Sequence, residues 1–213
     1  MYKIGLSGNR FSGKDTVCDL FRKISIPVFD ADVIIKFMIN YDFTILEKTR
    51  VKLGDNYITK DFSINLKKVD EDGKFGQLLS ILEPDLFRSY QKFEDRNRGS
   101  IYTIFNCSVL YETKWYDKMY KNINVYSPFI HRVDRAKKVL KGQYHQRSSI
   151  NKLLSNEACE LEKNKIASYI IHNYNVFNIE KQVNNIDQKI IDEYLLSCRR
   201  ENVNQPKWKP IFN

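Results

Sequence analysis

The chain lacks the features that mark membrane, secreted and structural-metal proteins. It contains no run of about eighteen apolar residues, so no transmembrane helix is expected. Its first residues lead straight into an apolar segment and a glycine-containing turn and do not have the layout of a signal peptide, which predicts a cytoplasmic protein. The four cysteines form no C-x-x-C pair and have no histidine at metal-ligand spacing. Reduced thiols, mostly buried, are therefore expected.

The composition indicates a folded domain that attracts anions. The chain has 213 residues, of which 42% are hydrophobic and 29% charged, enough for one α/β domain. Its 35 Lys and Arg against 26 Asp and Glu give a net charge of +9. Such a balance attracts polyanions, whether nucleotide, coenzyme or nucleic acid. No nucleic-acid-binding motif accompanies the charge, so a small-molecule partner is expected, with no nucleic acid and no membrane. Nothing in the sequence indicates an oligomeric state.

The hydrophobic pattern predicts an α/β fold with a parallel sheet. A strand at Tyr2–Ser7, a helix from about Lys14 and a short strand at Val28-Phe29 form a unit whose connection requires parallel strands. Three further strands are predicted at 101–105, 122–126 and 169–171, with a closing helix over 179–196. The core thus comprises residues 1–33, 99–128 and 166–198. Helical segments are predicted over 34–98 and 129–165, and an irregular tail over 199–213.

A phosphate-binding loop follows the first strand. The motif G-x-x-x-x-G-K is matched by Gly8, Asn9, Arg10, Phe11, Ser12, Gly13 and Lys14. Glycines allow successive N–H groups to turn toward phosphate oxygens, and the helix that begins at Lys14 adds the positive end of its dipole. Lys14 is then expected to reach the β- and γ-phosphates. These features predict ATP binding by a three-layer P-loop NTPase fold.

Asp15 departs from the pattern, because a Ser or Thr normally follows the lysine and ligates Mg²⁺. A carboxylate also suits this hard cation, but it places a negative charge near the triphosphate. Thr16 offers the nearest hydroxyl. Either Asp15 and Thr16 together form the magnesium site, or the affinity for nucleotide is reduced.

A pair of acids ends the second strand. Asp30 and Asp32 lie two residues apart, so in an extended strand both side chains project to the same side. Ligands of parallel sheets bind beyond the carboxyl ends of the strands, and there a carboxylate can orient an acceptor hydroxyl and take its proton. We assign this role to Asp32. Asp30 is either part of the site or the N-cap of the following helix.

From these residues the chain resembles the dephospho-CoA kinase family. That family has a loop of the form GGIGSGKST and a strand PVIDAD, where this chain has GNRFSGKDT and Pro27–Asp32. The family's PLLFE corresponds to Ser108–Glu112. Its motif Q-x-x-x-EEK-x-x-x-AD-x-VI-x-N corresponds in order and spacing to Glu157, Glu162-Lys163, Ala167-Ser168 and Ile170–Asn173. The resemblance covers nearly the whole chain, and its first two motifs are specific.

The resemblance implies an ATP- and Mg²⁺-dependent kinase that phosphorylates the ribose 3′-hydroxyl of dephospho-CoA. Lys14 would hold the phosphates and Asp32 would orient the acceptor. Residues 34–98 would form a helical substrate lobe, and residues 129–165 a helical lid. Within that lid, Arg132 and Arg135 are the best matches to the family's paired arginines, although a solvated charged helix face is the alternative for them.

Departures from the family pattern keep two other functions open. The family's His-Pro is Glu83-Pro84 here, and Phe11 replaces the middle glycine of the loop. The loop ending Gly-Lys-Asp-Thr resembles phage deoxynucleoside monophosphate kinases, which share this architecture. A P-loop domain without catalysis, acting as a component of a larger assembly, is the third hypothesis.

Overall fold

A computed structural model describes residues 1–140, 159–174 and 177–203. Its centre is a five-stranded sheet in the order β2-β3-β1-β4-β5, and every pairing is parallel. The strands are β1 (Tyr2–Ser7), β2 (Val28–Asp30), β3 (Tyr102–Asn106), β4 (Lys121–Tyr126) and β5 (Tyr169–His172). The prediction of a five-stranded parallel sheet is thus confirmed.

Helices cover both faces of the sheet. They are α1 (Lys14–Lys23), α2 (Ala31–Tyr41), α3 (Phe43–Leu53), α4 (Leu66–Glu71), α5 (Phe75–Arg96), α6 (Phe129–Val139), α7 (Glu160–Ile166) and α8 (Ile179–Val203). Short 3₁₀ helices lie at Asp55–Tyr57 and Trp115–Lys118. Among the described helices, none is both long and apolar enough to cross a membrane.

Two apolar cores separate the three layers. On one face, α1 and α8 pack on the sheet through residues such as Phe21 and Ile190, which meet Ile4 of β1. On the other face, α2, α3 and α5 pack against Phe105 of β3 and Trp115. Because β3 lies between β2 and β1 and helices cover both faces of the sheet, all five of its residues are buried. The arrangement confirms the predicted three-layer α/β/α fold.

The element boundaries differ from the sequence predictions at a few places. The segment 34–98 is largely helical, as expected, and forms α2 to α5. The closing helix extends to Val203, so residues 199–203 are helical where an irregular tail was predicted. The predicted lid contributes α6 and α7, while its middle part, 141–158, lies outside the described residues, as do Glu157 and the tail beyond 203.

The sheet topology gathers the motif residues at one edge. In a parallel sheet the segments that follow each strand leave from the same side, and ligands bind there. The phosphate loop follows β1, Asp32 follows β2, Ser108 follows β3 and Asn173 follows β5. Since β1 lies between β3 and β4, the phosphate loop occupies the middle of this edge.

Candidate active site

The two glycines of the phosphate loop are required by its geometry. A Cβ on Gly8 would lie 2.7 Å from the carbonyl oxygen of Val125, so the loop passes too close to β4 for any side chain there. Gly13 has φ = 90° and immediately precedes α1, and a Cβ on it would lie 2.0 Å from Nδ2 of Asn173. Both positions therefore exclude residues with a Cβ.

Phe11 takes a backbone conformation that non-glycine residues rarely adopt. Its φ is 61°, in the left-handed region, at the position where the family pattern has glycine. Its ring packs against Val133 and Ala136 of α6. This burial offsets the strain of the backbone, which is of order 1 kcal/mol or more for such conformations. The missing glycine is thus replaced by a side chain that attaches the loop to α6.

The outward-facing carbonyl groups of the loop are bound by side chains from α6 and from the end of β5. Arg135 donates through Nη1 to the carbonyl oxygens of Phe11 and Ser12, both at 2.9 Å, and through Nη2 to that of Asn173 at 2.6 Å. Asn173 in turn donates to the Ser12 carbonyl at 2.6 Å. Arg132, only 5% exposed, donates to the Arg10 carbonyl at 3.2 Å.

These contacts determine which way the loop amides face. In a trans peptide unit the C=O of one residue and the N–H of the next point in opposite directions. Because the carbonyls of Arg10 and Ser12 face the arginines and Asn173, the N–H groups of Phe11 and Gly13 point away from these side chains. This is the arrangement that a phosphate-binding loop requires. The two arginines lie behind the loop and are not a solvated helix face.

Lys14 is held by an acid and an amide at the mouth of the loop. Its Nζ lies 2.7 Å from Oδ2 of Asp32 and 2.9 Å from Oδ1 of Asn106, and its side chain is 13% exposed. Burial disfavours the charge on Lys14, but the charge of Asp32 and its hydrogen bond outweigh the burial, so the pKa of Lys14 is raised above its ordinary value. The ammonium group therefore stays charged and is directed to this edge of the sheet.

Asp32 is oriented by Ser108, the residue just beyond β3. Its Oδ1 accepts hydrogen bonds from the backbone N–H of Ser108 at 2.9 Å and from Oγ of Ser108 at 2.8 Å. Its side chain remains 32% exposed. Three hydrogen-bond donors therefore hold the Asp32 carboxylate in place, and its exposed side remains open. A general base needs both features if it is to take a proton from the hydroxyl group of the acceptor substrate.

Asp30 and Asp32 are arranged differently from the strand-based expectation. The strand ends at Asp30 and α2 begins at Ala31, and the two carboxylates bind different partners. Asp30 accepts from Asn106 at 2.7 Å and pairs with Arg22 of α1. It precedes α2 as the N-cap residue, but its side chain makes no capping hydrogen bond. Asn106 therefore links the Asp30 pair to the Lys14 pair, a role that no sequence motif indicated.

Asp15 and Thr16 are exposed at the start of α1. The Asp15 side chain is 90% exposed, and its Oδ1 lies 3.6 Å from Nζ of Lys14. Within the described residues no group of three or more His, Cys, Asp or Glu side chains could hold a metal without other ligands. Mg²⁺ in nucleotide sites, however, takes one or two protein oxygens together with phosphate and water. Asp15 and Thr16 fit that donor set.

A cavity of about 900 Å³ lies between the phosphate loop and the helical segment 34–98. Gly8, Asn9 and Arg10 line one side, and residues of α4 and α5, Leu79 among them, line the other. Ser108, which orients Asp32, also borders it. The cavity is large enough for part of a nucleotide-sized acceptor.

Glu83, where the family has histidine, also lines this cavity. It is paired with Lys118. Although burial opposes its charge, hydrogen bonds from Lys118 and Trp115 hold the pKa of Glu83 below its usual value. Glu83 is therefore an ionised, paired group on the wall of the cavity.

Sequence reasoning missed several residues of this site. Asn106, Ser108 and Asn173 contact the predicted residues directly, and Lys163 of α7 contacts Asn9 at 2.6 Å. Ser108, Lys163 and Asn173 belong to the motifs matched after β3 and near β5, so a signal for them was present. The motifs did not indicate which residues these side chains contact.

The fold and this site define a P-loop phosphotransferase, and the comparisons with known proteins identify its family. The sequence profile of the dephospho-CoA kinase family matches residues 2–178. The dephospho-CoA kinase of Bacillus licheniformis is 27% identical over 177 residues, which cover 80% of this chain and 87% of that protein. The chain belongs to the dephospho-CoA kinase family.

A second sequence relative and a solved structure also resemble this chain. The dephospho-CoA kinase of Buchnera aphidicola is 27% identical over 210 residues, covering 90% of this chain and 99% of that protein. The solved structure of the dephospho-CoA kinase of Campylobacter jejuni superimposes with a TM-score of 0.54 at 18% identity, covering 88% of this chain and 96% of that one. At this identity the structural likeness concerns the fold alone.

Proposed function

We propose that this chain transfers the γ-phosphate of ATP to the 3′-hydroxyl of dephospho-CoA. The observation that carries the proposal is the pair formed by Lys14 and Asp32, 2.7 Å apart, next to the phosphate loop. Lys14 can neutralise charge on the transferred phosphoryl group, and Asp32 can accept a proton. Membership of the dephospho-CoA kinase family supports the choice of acceptor.

In this proposal, the loop holds the triphosphate before the reaction. The N–H groups of the loop bind the β- and γ-phosphates, and Lys14 adds its charge to the phosphoryl group that moves. Asp15 and Thr16 hold Mg²⁺, which neutralises part of the phosphate charge when it is bound with ATP. Arg132 and Arg135 maintain the loop conformation from behind through its carbonyl groups.

Asp32 acts on the acceptor. The 3′-oxygen attacks the γ-phosphorus as the bond to the bridging oxygen of ADP breaks, and the hydroxyl proton moves to the Asp32 carboxylate. Lys14 and Ser108 stay hydrogen-bonded to the carboxyl group and keep it in place. Because phosphoryl transfer depends mainly on alignment and charge, this positioning supplies much of the rate enhancement.

The remaining parts of the chain form the walls around the two substrates. We assign residues 34–98 to the acceptor side, because α4 and α5 line the cavity opposite the phosphate loop. Residues 129–165 serve as the lid on the ATP side, where α6 lies against the loop. Residues 1–33, 99–128 and 166–198 form the core that carries the catalytic groups.

A deoxynucleoside monophosphate is the second candidate acceptor. Asp15 favours it, because the loop ending Gly-Lys-Asp-Thr resembles that of phage deoxynucleoside monophosphate kinases. A loss of catalysis is the least supported alternative, since Lys14 and Asp32 are both present and paired.

An acceptor screen tests the proposal. The purified full-length chain would be assayed for ADP release with MgATP and either dephospho-CoA or each deoxynucleoside monophosphate. We expect turnover with dephospho-CoA, and phosphorus NMR of the product should place the new phosphate on the 3′-oxygen. Turnover with a deoxynucleoside monophosphate alone would overturn the assignment of the acceptor. An absence of turnover with every acceptor would favour the non-catalytic hypothesis.

A further inference from the structure

A buried lysine on α7 contacts the phosphate loop at a residue different from those bound by α6. The side chain of Lys163 is 2% exposed, and its Nζ lies 2.6 Å from Oδ1 of Asn9 and 2.9 Å from Oε1 of Glu112. A buried charge is costly unless it is paired and hydrogen-bonded, and here a carboxylate and an amide oxygen provide both. Lys163 therefore connects α7, the loop and the segment after β3.

The same helix holds the other end of the Asn9 side chain. Nδ2 of Asn9 donates to Oε2 of Glu160 at 2.5 Å, and Glu160 lies one helical turn before Lys163. Both the oxygen and the nitrogen of the Asn9 side-chain amide thus bind residues of α7. With both ends occupied, the side chain of Asn9 has one orientation, and it is itself 6% exposed.

The position of Asn9 determines the turn at the tip of the loop. Its carbonyl oxygen accepts a hydrogen bond from the N–H of Ser12 at 2.9 Å, which closes the turn through Arg10 and Phe11. Arg135 of α6 binds the carbonyl oxygen of Phe11 in the same turn. The phosphate-binding turn is therefore attached to both α6 and α7.

From this geometry we infer that Lys163 is a positioning residue, which acts through Asn9 to hold the loop in the conformation that binds ATP phosphates. Lys163 borders the acceptor cavity, but its side chain is only 2% exposed and its Nζ contacts Asn9 and Glu112, so we assign its action to the loop. Groups that orient a metal-ligating residue typically contribute about 10- to 100-fold to affinity or activity, and we expect an effect of similar order for a residue that orients the phosphate loop. Its effect on the rate of transfer rests on the proposed function, whereas its effect on ATP binding does not.

The test measures MgATP binding by isothermal titration calorimetry, so that no acceptor is needed. We expect Lys163→Met and Asn9→Ala each to raise the Kd for MgATP about 10-fold, and the double variant to exceed the larger single effect by less than about 2-fold, because both changes remove one interaction. Lys163→Arg keeps a buried cation and should recover most of the affinity. Lys165→Met, an exposed lysine of the same helix, serves as the matched control and should bind like the wild type.

The outcomes separate positioning from simple structural support. A structural role alone would lower the melting temperature and leave the Kd of the folded protein unchanged, which would overturn the inference. Effects that multiply in the double variant would overturn it as well. If Lys163→Met does not fold, Asn9→Ala carries the test, since it leaves Lys163 paired with Glu112. A wild type that binds ATP but does not phosphorylate dephospho-CoA would refute the proposed acceptor and leave this inference standing.

Discussion

Replacing Asp32 with asparagine tests the proposed chemistry most directly, because it changes a charge and almost no volume. The carboxylate accepts hydrogen bonds from three donors, namely Lys14 Nζ and both the N–H and Oγ of Ser108. An amide has one acceptor oxygen and one NH₂ group. Whichever way the introduced amide turns, its NH₂ group faces one of these donors.

We expect two separable effects of Asp32→Asn. Loss of general-base assistance should lower kcat for dephospho-CoA by about 10²- to 10⁴-fold. Loss of hydrogen bonds to a charged group should destabilise the fold by about 1–3 kcal/mol. For a chain of this size, that corresponds to a fall in Tm of roughly 2–4 °C per kcal/mol. The first is measured by ADP release, the second by calorimetric unfolding.

The pH dependence gives an independent check. Since Asp32 raises the pKa of Lys14 above 10.5, the stability contributed by this pair is present at lower pH and is lost only as the pH rises through that raised pKa. In Asp32→Asn, the burial of Lys14 is less compensated, so its pKa falls and unfolding at alkaline pH begins earlier. Asp19→Asn on the exposed side of α1 is the control. If Asp32→Asn keeps kcat within about 3-fold of the wild-type value, the role of Asp32 as general base is refuted.

Two further substitutions test the metal site and the loop. Asp15→Ser replaces an anionic ligand by a neutral one and should raise the Mg²⁺ concentration for half-maximal activity about 3- to 10-fold. If this Mg²⁺ concentration falls instead, Asp15 repels the triphosphate. Arg135→Met removes the donors to the carbonyls of Phe11, Ser12 and Asn173 and should raise the Kd for MgATP about 10- to 100-fold in calorimetric titrations. The control, Lys137→Met on the exposed side of α6, should bind MgATP like the wild type. An unchanged Kd for MgATP in Arg135→Met would contradict the proposal that Arg135 maintains the loop conformation.

Much of the fold was predictable, because its signals are local. The apolar strand at the N-terminus, the glycines at positions 8 and 13 and the amphipathic helix after them are contiguous in the sequence, so they specify a strand, a loop and a helix without long-range information. The extension of α8 to Val203 was not predicted, since polar residues near its end resemble a tail when no packing partner is known.

The site was only partly predictable, because its partners come from distant segments. Lys14 and Asp32 carry sequence signals, but the pairing of Asp32 with Ser108 joins residues 76 positions apart. Arg135 was expected only as a match to one of the family's paired lid arginines, and the structure shows that its donors bind the carbonyl groups of Phe11 and Ser12. A motif states which residue types occur, and the direction of each side chain depends on what packs around it.

The amino-acid sequence alone determined the class of this protein, because a phosphate loop is built from neighbouring residues whose backbone freedom and charge can be read in order. The tertiary structure decided how that loop is held. The hydrogen bonds from Arg135 to Phe11 and Ser12 and the contact of Lys163 with Asn9 each span more than 120 residues of chain. Only folding of the sheet brings α6 and α7 together at one turn, because the contacting residues are far apart in the sequence.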